Sequence, residues 1–409
     1  IIALGLFDYV LAFSVFGIAA LFRKRMPYRP ALITAALVSS AFRYVCHTVS
    51  GATIWAGLSI PEAAAIIYSL SYNATYMIPE TVVLALAAYY LGSLLDFRRE
   101  QAKARHNCEV FADYHELLDR KDIDLVVNAT YSYQHYPVAL DFLKHGFNVV
   151  TEKPFAVHAD DCQAMIDAAA ENNVMLCVFQ QSHFAPYARR IREILASGVL
   201  GRIAMIKIQF SGWARRWDWQ CSQRFGGGCL RNTGPHPFEQ ALDLLDSDEM
   251  PQIASRLDIV NSYGDAEDFC KVLMLMPGKP VIDVEISSCN AYADFTYNIQ
   301  GQYGSLKATM AAIDYKYYDP ADVEDPKLNL QSLRGANDEP RYCGETLPWK
   351  VEHEELKGSA FDTAVKAYYD NIFAHLTEGE ELVIKPAKIK QMIAVMEEIH
   401  RQNPLPEKF

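Results

Sequence analysis

The rhythm of hydrophobic and polar positions changes near residue 100. Before it, apolar residues run almost unbroken. Residues 1–22, "IIALGLFDYVLAFSVFGIAALF", hold a single charge, Asp8, and a helix of that length crosses the hydrocarbon core of a bilayer. A second apolar stretch covers roughly residues 31–57 and a third about 63–94. The pattern predicts a membrane α-helical segment of about three spans. A buried bundle is the alternative, but it would have to hide three long apolar segments in succession. From residue 105 the chain alternates short apolar runs with amphipathic ones. Leu125–Asn128 reads as a strand, His135–His145 as a helix, and Asn148–Thr151 as the next strand. A helix with Asp160 and Asp161 in its first turn follows to about Asn172, then a strand over Val174–Phe179. Strands separated by such helices predict βαβ units and a parallel sheet. Beyond residue 200 the runs "IAMIKIQF", "KVLMLM", "VIDVEISSC" and "YNIQGQYG" predict a second, largely antiparallel sheet, and helical spacing returns over about 359–378 and 386–402.

Charge follows the same division. Residues 1–95 carry three acids (Asp8, Glu62, Glu80) and five bases, whereas the remainder carries 47 acids against 33 bases. So acidic a second part argues against nucleic acid as a partner. Nine cysteines occur without any C-x-x-C, which argues against zinc or a disulfide framework and suits a reducing compartment; no metal site is expected. No polar n-region or cleavage site marks the first apolar stretch as a leader. Basic clusters at 23–29 and 98–105 flank the first and third spans, while the loop "GLSIPE" has none. The positive-inside bias then places residue 96 and everything after it in the cytoplasm, anchored at the cell membrane.

Candidate chemistry collects in four places. "TEKP" puts Glu152 and Lys153 at the carboxyl end of a strand, where open α/β sheets bind ligands. An amine there can hydrogen-bond a hydroxyl and favour a developing alkoxide, or it can simply sit in a solvated turn. "GGGCLRNTGPHPFEQALDLL", residues 226–245, has three glycines that permit close backbone approach to a ligand and places His236 at the start of a helix. That histidine can be a general base near neutral pH or a cap-region residue. "GWARRWDWQ" offers Trp213, Arg215, Arg216, Trp217 and Trp219; these suit a sugar or cyclitol, an acidic one included, or anchor a strand end. Within the apolar segment, His47, Trp55, Tyr68 and Asn73 form H-x7-W-x12-Y-x4-N. That set suits a flat, cationic heteroaromatic ligand, or else interfacial aromatics and helix packing.

Two resemblances extend this reading. Residues 1–98 resemble the C-terminal half of ThiT, the thiamine-binding subunit of energy-coupling-factor (ECF) vitamin transporters. The resemblance implies a thiamine-pocket role for His47, Trp55, Tyr68 and Asn73, and ECF transporter subunits as partners. That family has about six spans, so the pocket here would be partial. Residues of about 105–409 resemble the glucose-fructose oxidoreductase/inositol dehydrogenase (Gfo/Idh/MocA) family, through "NATYSYQHYPVAL", "TEKP" and "GGGCLRNTGPH" taken together. The resemblance implies an NAD(P)-dependent oxidoreductase acting on a sugar or cyclitol hydroxyl. NAD or NADP would be the cofactor, contacted by Thr130, His135, Glu152 and Lys153. It also implies Lys153 as the hydroxyl- and nicotinamide-orienting residue, His236 as acid/base, and Asn232 in the place of the family's aspartate.

The family's first strand and its G-x-G-x-x-G turn should precede residue 105, yet no G-x-G-x-x-G occurs anywhere in the chain. The expected architecture is therefore a membrane segment over 1–98, a truncated Rossmann-like parallel sheet over 105–180, and an α/β substrate domain over 181–409. Three functions stay open: an oxidoreductase impaired by the lost glycine loop, half of a thiamine carrier, or a non-functional join of two partial genes near residues 98–104.

Overall fold

The computed structural model describes residues 28–53 and 64–408. The expected first span and Trp55 lie outside them. The chain divides into two compact units after Leu117.

The first unit contains helix α1 (Tyr28–Thr53) and the long helix α2 (Ala65–His106), which pack on each other. Among the described residues one helical stretch, Pro30–Thr53, is long and apolar enough to cross a membrane. The third expected span falls within α2, which contains Pro79 and Glu80 and ends at Asn107 in a left-handed conformation. Buried positions are mostly small or polar: Ala31, Ala35, Ser39 and Ser50 on α1, with Ala65, Ser69 and Asn73 on α2, Met77 being the large apolar exception. The backbones come close enough that a Cβ at Gly51 would overlap the Ser69 hydroxyl. Large apolar residues such as Phe42, Val45, Ile67, Ile78 and Val83 are exposed. Between the helices, buried Arg43 donates from Nη1 to Glu80 Oε1 at 2.7 Å.

The second unit opens with strands β1 (Val126–Asn128), β2 (Val149–Thr151) and β3 (Leu176–Val178), paired in parallel in that order. Helices α3 (His135–Lys144) and α4 (Ala159–Glu171) make the crossovers. Each element falls within a residue or two of its expected bounds. Asp160 and Asp161 stand in the first turn of α4, where carboxylates complement the helix dipole. Pro186 starts α5 (Pro186–Ala196), a position whose N–H would be unpaired in any case.

An eight-stranded sheet follows, in the order β11-β10-β9-β8-β4-β7-β6-β5. Its strands are β4 (Ile203–Ser211), β5 (Gln252–Asp258), β6 (Phe269–Leu275), β7 (Val281–Ser287), β8 (Tyr297–Gly301), β9 (Gly304–Ala308), β10 (Ala312–Tyr317) and β11 (Lys350–Glu355). Pairing is antiparallel except between β4 and β7, so the largely antiparallel expectation holds. "YNIQGQYG" supplies β8 and the turn Gln302-Tyr303, across which β9 returns antiparallel. Alternation buries one face: Ile206 lies opposite Ile282 and Ile299, and Val284 opposite Ile208 and Val272. The buried side of helix α7 (Pro235–Leu245), with Phe238, Ala241 and Leu245, packs against β4 and β7. After the four-residue helix α6 (Cys229–Asn232), α7 is the element that carries His236. Helices α8 (Asp362–Glu378) and α9 (Pro386–Gln402) close the chain, and α9 packs on both α4 and β5. That packing holds the parallel sheet and the large sheet in one unit.

Candidate active site

Strand β2 is wholly buried and ends at Thr151, so the next residues emerge at the carboxyl edge of the parallel sheet. The Lys153–Pro154 peptide is cis. Half-buried Lys153 donates from Nζ to the backbone carbonyl of Asn232 at 2.6 Å. Burial lowers its pKa, with Glu152 acting in the opposite sense. Glu152 accepts the N–H of Lys153 at 3.1 Å, and burial raises its own pKa. The structure thereby joins the two segments that the sequence singled out separately.

His236 is the second residue of α7, flanked by Pro235 and Pro237. Its Nδ1 lies 3.0 Å from Ser182 Oγ. Burial first, and the Lys153 charge second, push the imidazole down to about 3, so at neutral pH the ring is uncharged. Asn232 acts through its backbone: the carbonyl holds Lys153 while the side-chain amide donates to Gln220 Oε1 at 3.2 Å.

The glycine run serves internal packing. A Cβ at Gly227 would overlap the carbonyl of Gln220, and one at Gly228 (φ +109°) would overlap the Glu267 carboxylate. That carboxylate is buried and accepts the N–H of Leu230 at 3.1 Å. The tryptophan–arginine segment divides. Trp219 packs edge-to-face on Tyr131, with ring centroids 5.1 Å apart. Trp213 and Trp217 are exposed, Arg215 stacks over Tyr263 at 4.8 Å, and Arg216 pairs with Asp218 at 3.1 Å. Arg216, Gln220, Asn232, Thr233 and Asn261 line a small polar cavity.

At the end of β1, Asn128 accepts the Thr130 hydroxyl at 2.8 Å and donates to the His135 carbonyl at 3.0 Å. Thr130 itself is exposed. His135 is buried, with Nδ1 2.6 Å from the Pro154 carbonyl and Nε2 3.1 Å from the Thr130 carbonyl. Burial lowers its pKa, and a neutral imidazole donates to only one of these acceptors; the shorter contact is the natural choice. His135 therefore ties the β1 loop to the "TEKP" turn through backbone atoms. Thr130, Glu152 and Lys153 remain to offer side-chain polar atoms at this edge, and they fit the nicotinamide end of a dinucleotide.

In the first unit, Tyr68 is half-exposed and stacks on Tyr72, His47 is half-buried, and buried Asn73 accepts the Tyr76 hydroxyl at 2.8 Å. Among the described residues no cluster of His, Cys, Asp or Glu has the geometry to hold a metal. Sequence reasoning missed Ser182, Gln220 and Glu267. For Ser182 a signal existed, because "FQQSH" follows a buried strand at the edge where ligands bind.

Residues 89–180 match the family described as "Oxidoreductase family, NAD-binding Rossmann fold", and residues 188–307 match the "GFO/IDH/MocA C-terminal domain". Residues 1–96 match "Thiamine transporter protein", so the matches overlap at 89–96. The scyllo-inositol 2-dehydrogenase (NADP(+)) IolW of Bacillus subtilis is 22 % identical over 327 residues, covering 76 % of this chain and 86 % of that one. A trans-1,2-dihydrobenzene-1,2-diol dehydrogenase of Danio rerio is 26 % identical over 171 residues, covering 42 % of this chain and 50 % of that one. The chain spans about half the length of several such curated relatives. A solved putative oxidoreductase from Bacillus subtilis superposes with a TM-score of 0.60 at 19 % identity, covering 76 % of this chain and 89 % of that one. The aldose-aldose oxidoreductase of Caulobacter crescentus gives 0.56 at 18 %, covering 70 % and 79 %. Such identities speak to the fold alone. By its two domain matches, and with both site segments in place, the chain belongs to the Gfo/Idh/MocA oxidoreductase family.

Proposed function

We propose that the second unit is built for NAD(P)-dependent oxidation and reduction at a secondary hydroxyl of a sugar or cyclitol. The observation that carries this reading is the junction of Lys153 with the Asn232 carbonyl, four residues before His236. In the oxidative direction the substrate O–H bond breaks and its proton passes to the neutral imidazole of His236. Lys153 donates a hydrogen bond to the oxygen as its charge grows, which lowers the barrier electrostatically. The nicotinamide, when bound, would supply the hydride acceptor as the carbinol C–H bond breaks and the C=O bond forms, with Thr130, Glu152 and Lys153 placed to hold it. The polar cavity beside Asn232, with Arg216 at its rim, is where the remaining substrate hydroxyls would be read. Names among the relatives, an inositol dehydrogenase and a dihydrodiol dehydrogenase, agree with a ring carbinol as substrate.

The test is steady-state turnover of a chimera in which a first strand, glycine turn and second strand of the family type replace residues 1–104, followed by reduced-nicotinamide absorbance over a panel of inositols and aldoses. A positioned proton-transfer group is typically worth about 10²–10⁴-fold. Lys153→Met and His236→Ala should each depress kcat/KM within that range. Near-normal rates in both variants would remove the assignment.

The first unit supports a second reading, that of a membrane segment derived from a thiamine carrier. Its carrying observation is the inside-out helix pair, with mostly small and polar residues buried and most large apolar ones facing outward; helices in lipid pack in this way. His47, Trp55, Tyr68 and Asn73 would then form part of a thiamine pocket, with ECF transporter subunits as partners, and the catalytic unit would lie in the cytoplasm. Protease added to intact, right-side-out cells should leave residues 105–409 protected, and cleavage there from outside would reverse this topology. The overlap of the two family matches at 89–96 supports a third possibility for the whole, a join of two partial genes.

A further inference from the structure

The hydrogen bond to His236 comes from outside the segment that carries it. Ser182 sits in a single 3-10 turn, Gln181–Phe184, just beyond β3, and its Oγ lies 3.0 Å from Nδ1. Three tethers hold that turn against α7. Gln240 Nε2 donates to the Ser182 carbonyl at 3.0 Å, and Gln240 is itself fixed by the hydroxyls of buried Tyr187 and Tyr297. His183 Nδ1 meets Glu239 Oε1 at 2.7 Å. Arg192 Nη2 donates to the His183 carbonyl at 2.6 Å. Gln240 and Glu239 lie on the helix that carries His236, so the serine and the imidazole are held in one frame. The Asn232 amide is turned away to Gln220, and among the described residues Nε2 of His236 makes no hydrogen bond.

We propose that Ser182 is the positioning residue for His236, its hydroxyl oxygen accepting a hydrogen bond from Nδ1–H so that the lone pair of Nε2 faces the substrate. The inference rests on the reading of His236 as the proton acceptor. A hydroxyl suits the task because it can keep accepting from Nδ1–H before and after Nε2 gains a proton. Unlike a carboxylate it adds no charge, so it sets the tautomer without altering the net charge around the ring. A free imidazole in water prefers its proton on Nε2, so the opposite tautomer requires such a partner.

Histidine-labelled ¹⁵N spectra of the full chain read the tautomer directly, with the His236 signals assigned by their loss in His236→Gln. The expected result is a protonated Nδ1 and a bare Nε2 in the parent chain. In Ser182→Ala the proton should move to Nε2, while Ser182→Thr, which keeps the hydroxyl, should retain the parent pattern. A parent ring protonated on Nε2, or an unchanged spectrum in Ser182→Ala, overturns the proposal. In turnover, measured with the family-type first strand and glycine turn restored, Ser182→Ala should lower kcat about 3–10-fold, the worth of one hydrogen bond, with KM unchanged and Thr restoring the rate. If His236→Ala turns over normally while the tautomer still depends on Ser182, the spectra uphold the serine's hold on the ring and the catalytic reading of His236 is what fails.

Discussion

Gly228 shows how a residue chosen for one reason can be needed for another. Its φ of +109° is a conformation that side chains other than glycine adopt only under strain, and a Cβ would fall on the Glu267 carboxylate. Glu267 is held there by the Leu230 N–H, and the backbone carbonyl of Glu267 also accepts the N–H of Cys229 at 2.8 Å. Neither partner can yield without undoing the start of α6. Gly228→Ala should therefore destabilise the chain by at least about 2 kcal/mol, combining backbone strain with overpacking. Chemical denaturation of parent and variant measures this, and a loss below about 0.5 kcal/mol would show that the loop relaxes freely. The glycine run was legible in the sequence as a place of close approach. What approaches was not, because Glu267 lies 39 positions after Gly228 and only the folded sheet brings it there.

Among the elements, Glu267 also marks a titrating contact between the α6 segment and α9. Its carboxyl is buried, Arg231 is near, and His400 in the last turn of α9 lies 3.8 Å away. Burial raises the Glu267 pKa from 4.5 to about 7, so the folded chain binds this proton more tightly than the unfolded one. The contribution is complete below about 4.5 and is lost as pH climbs through about 7. The His400 imidazole is pushed down to about 4 by burial and acts in the other direction, losing stability as pH falls, but Glu267→Gln carries that term as well. Between pH 5 and pH 8 the parent should lose stability relative to Glu267→Gln, by up to about 3 kcal/mol if the full shift is realised. Parallel pH profiles for the two proteins would expose an error in this assignment. The same scale explains what periodicity could and could not give. The elements of the parallel sheet and helix α9 were legible because each carries a strong apolar period. Strands β5 and β11 were not: β5 sets Ser255 between Ile253 and Leu257 on its inward side, and β11 is exposed along almost its whole length, so neither shows a clear apolar alternation. The Ser182–His236 pair joins residues 54 positions apart, and spacing rules cannot reach it.

At the scale of the whole molecule, the question is whether the site can hold its cofactor. Strand β1 pairs with β2 on one side, and among the described residues no strand pairs with its other edge, where Val127 is half-exposed. In the proposed reading, Thr130, Glu152 and Lys153 would serve the nicotinamide end. A dinucleotide draws much of its affinity from its pyrophosphate, bound by backbone N–H groups of a glycine turn and a helix N-terminus. The adenosine ribose adds a hydrogen bond to an acid after the second strand. The chain contains no G-x-G-x-x-G, and its glycine run at 226–228 is committed to Gln220 and Glu267. Each missing charge-assisted hydrogen bond is worth roughly 1.5–3 kcal/mol, and several together weaken binding by orders of magnitude. The chain should therefore bind NADH feebly in calorimetric titration. A chimera in which a first strand, glycine turn and second strand of the family type replace residues 1–104 should bind it in the micromolar range. Were the unaltered chain to bind NADH at micromolar concentration, another segment, or a second polypeptide laid against the open edge of β1, would have to supply the pyrophosphate contacts.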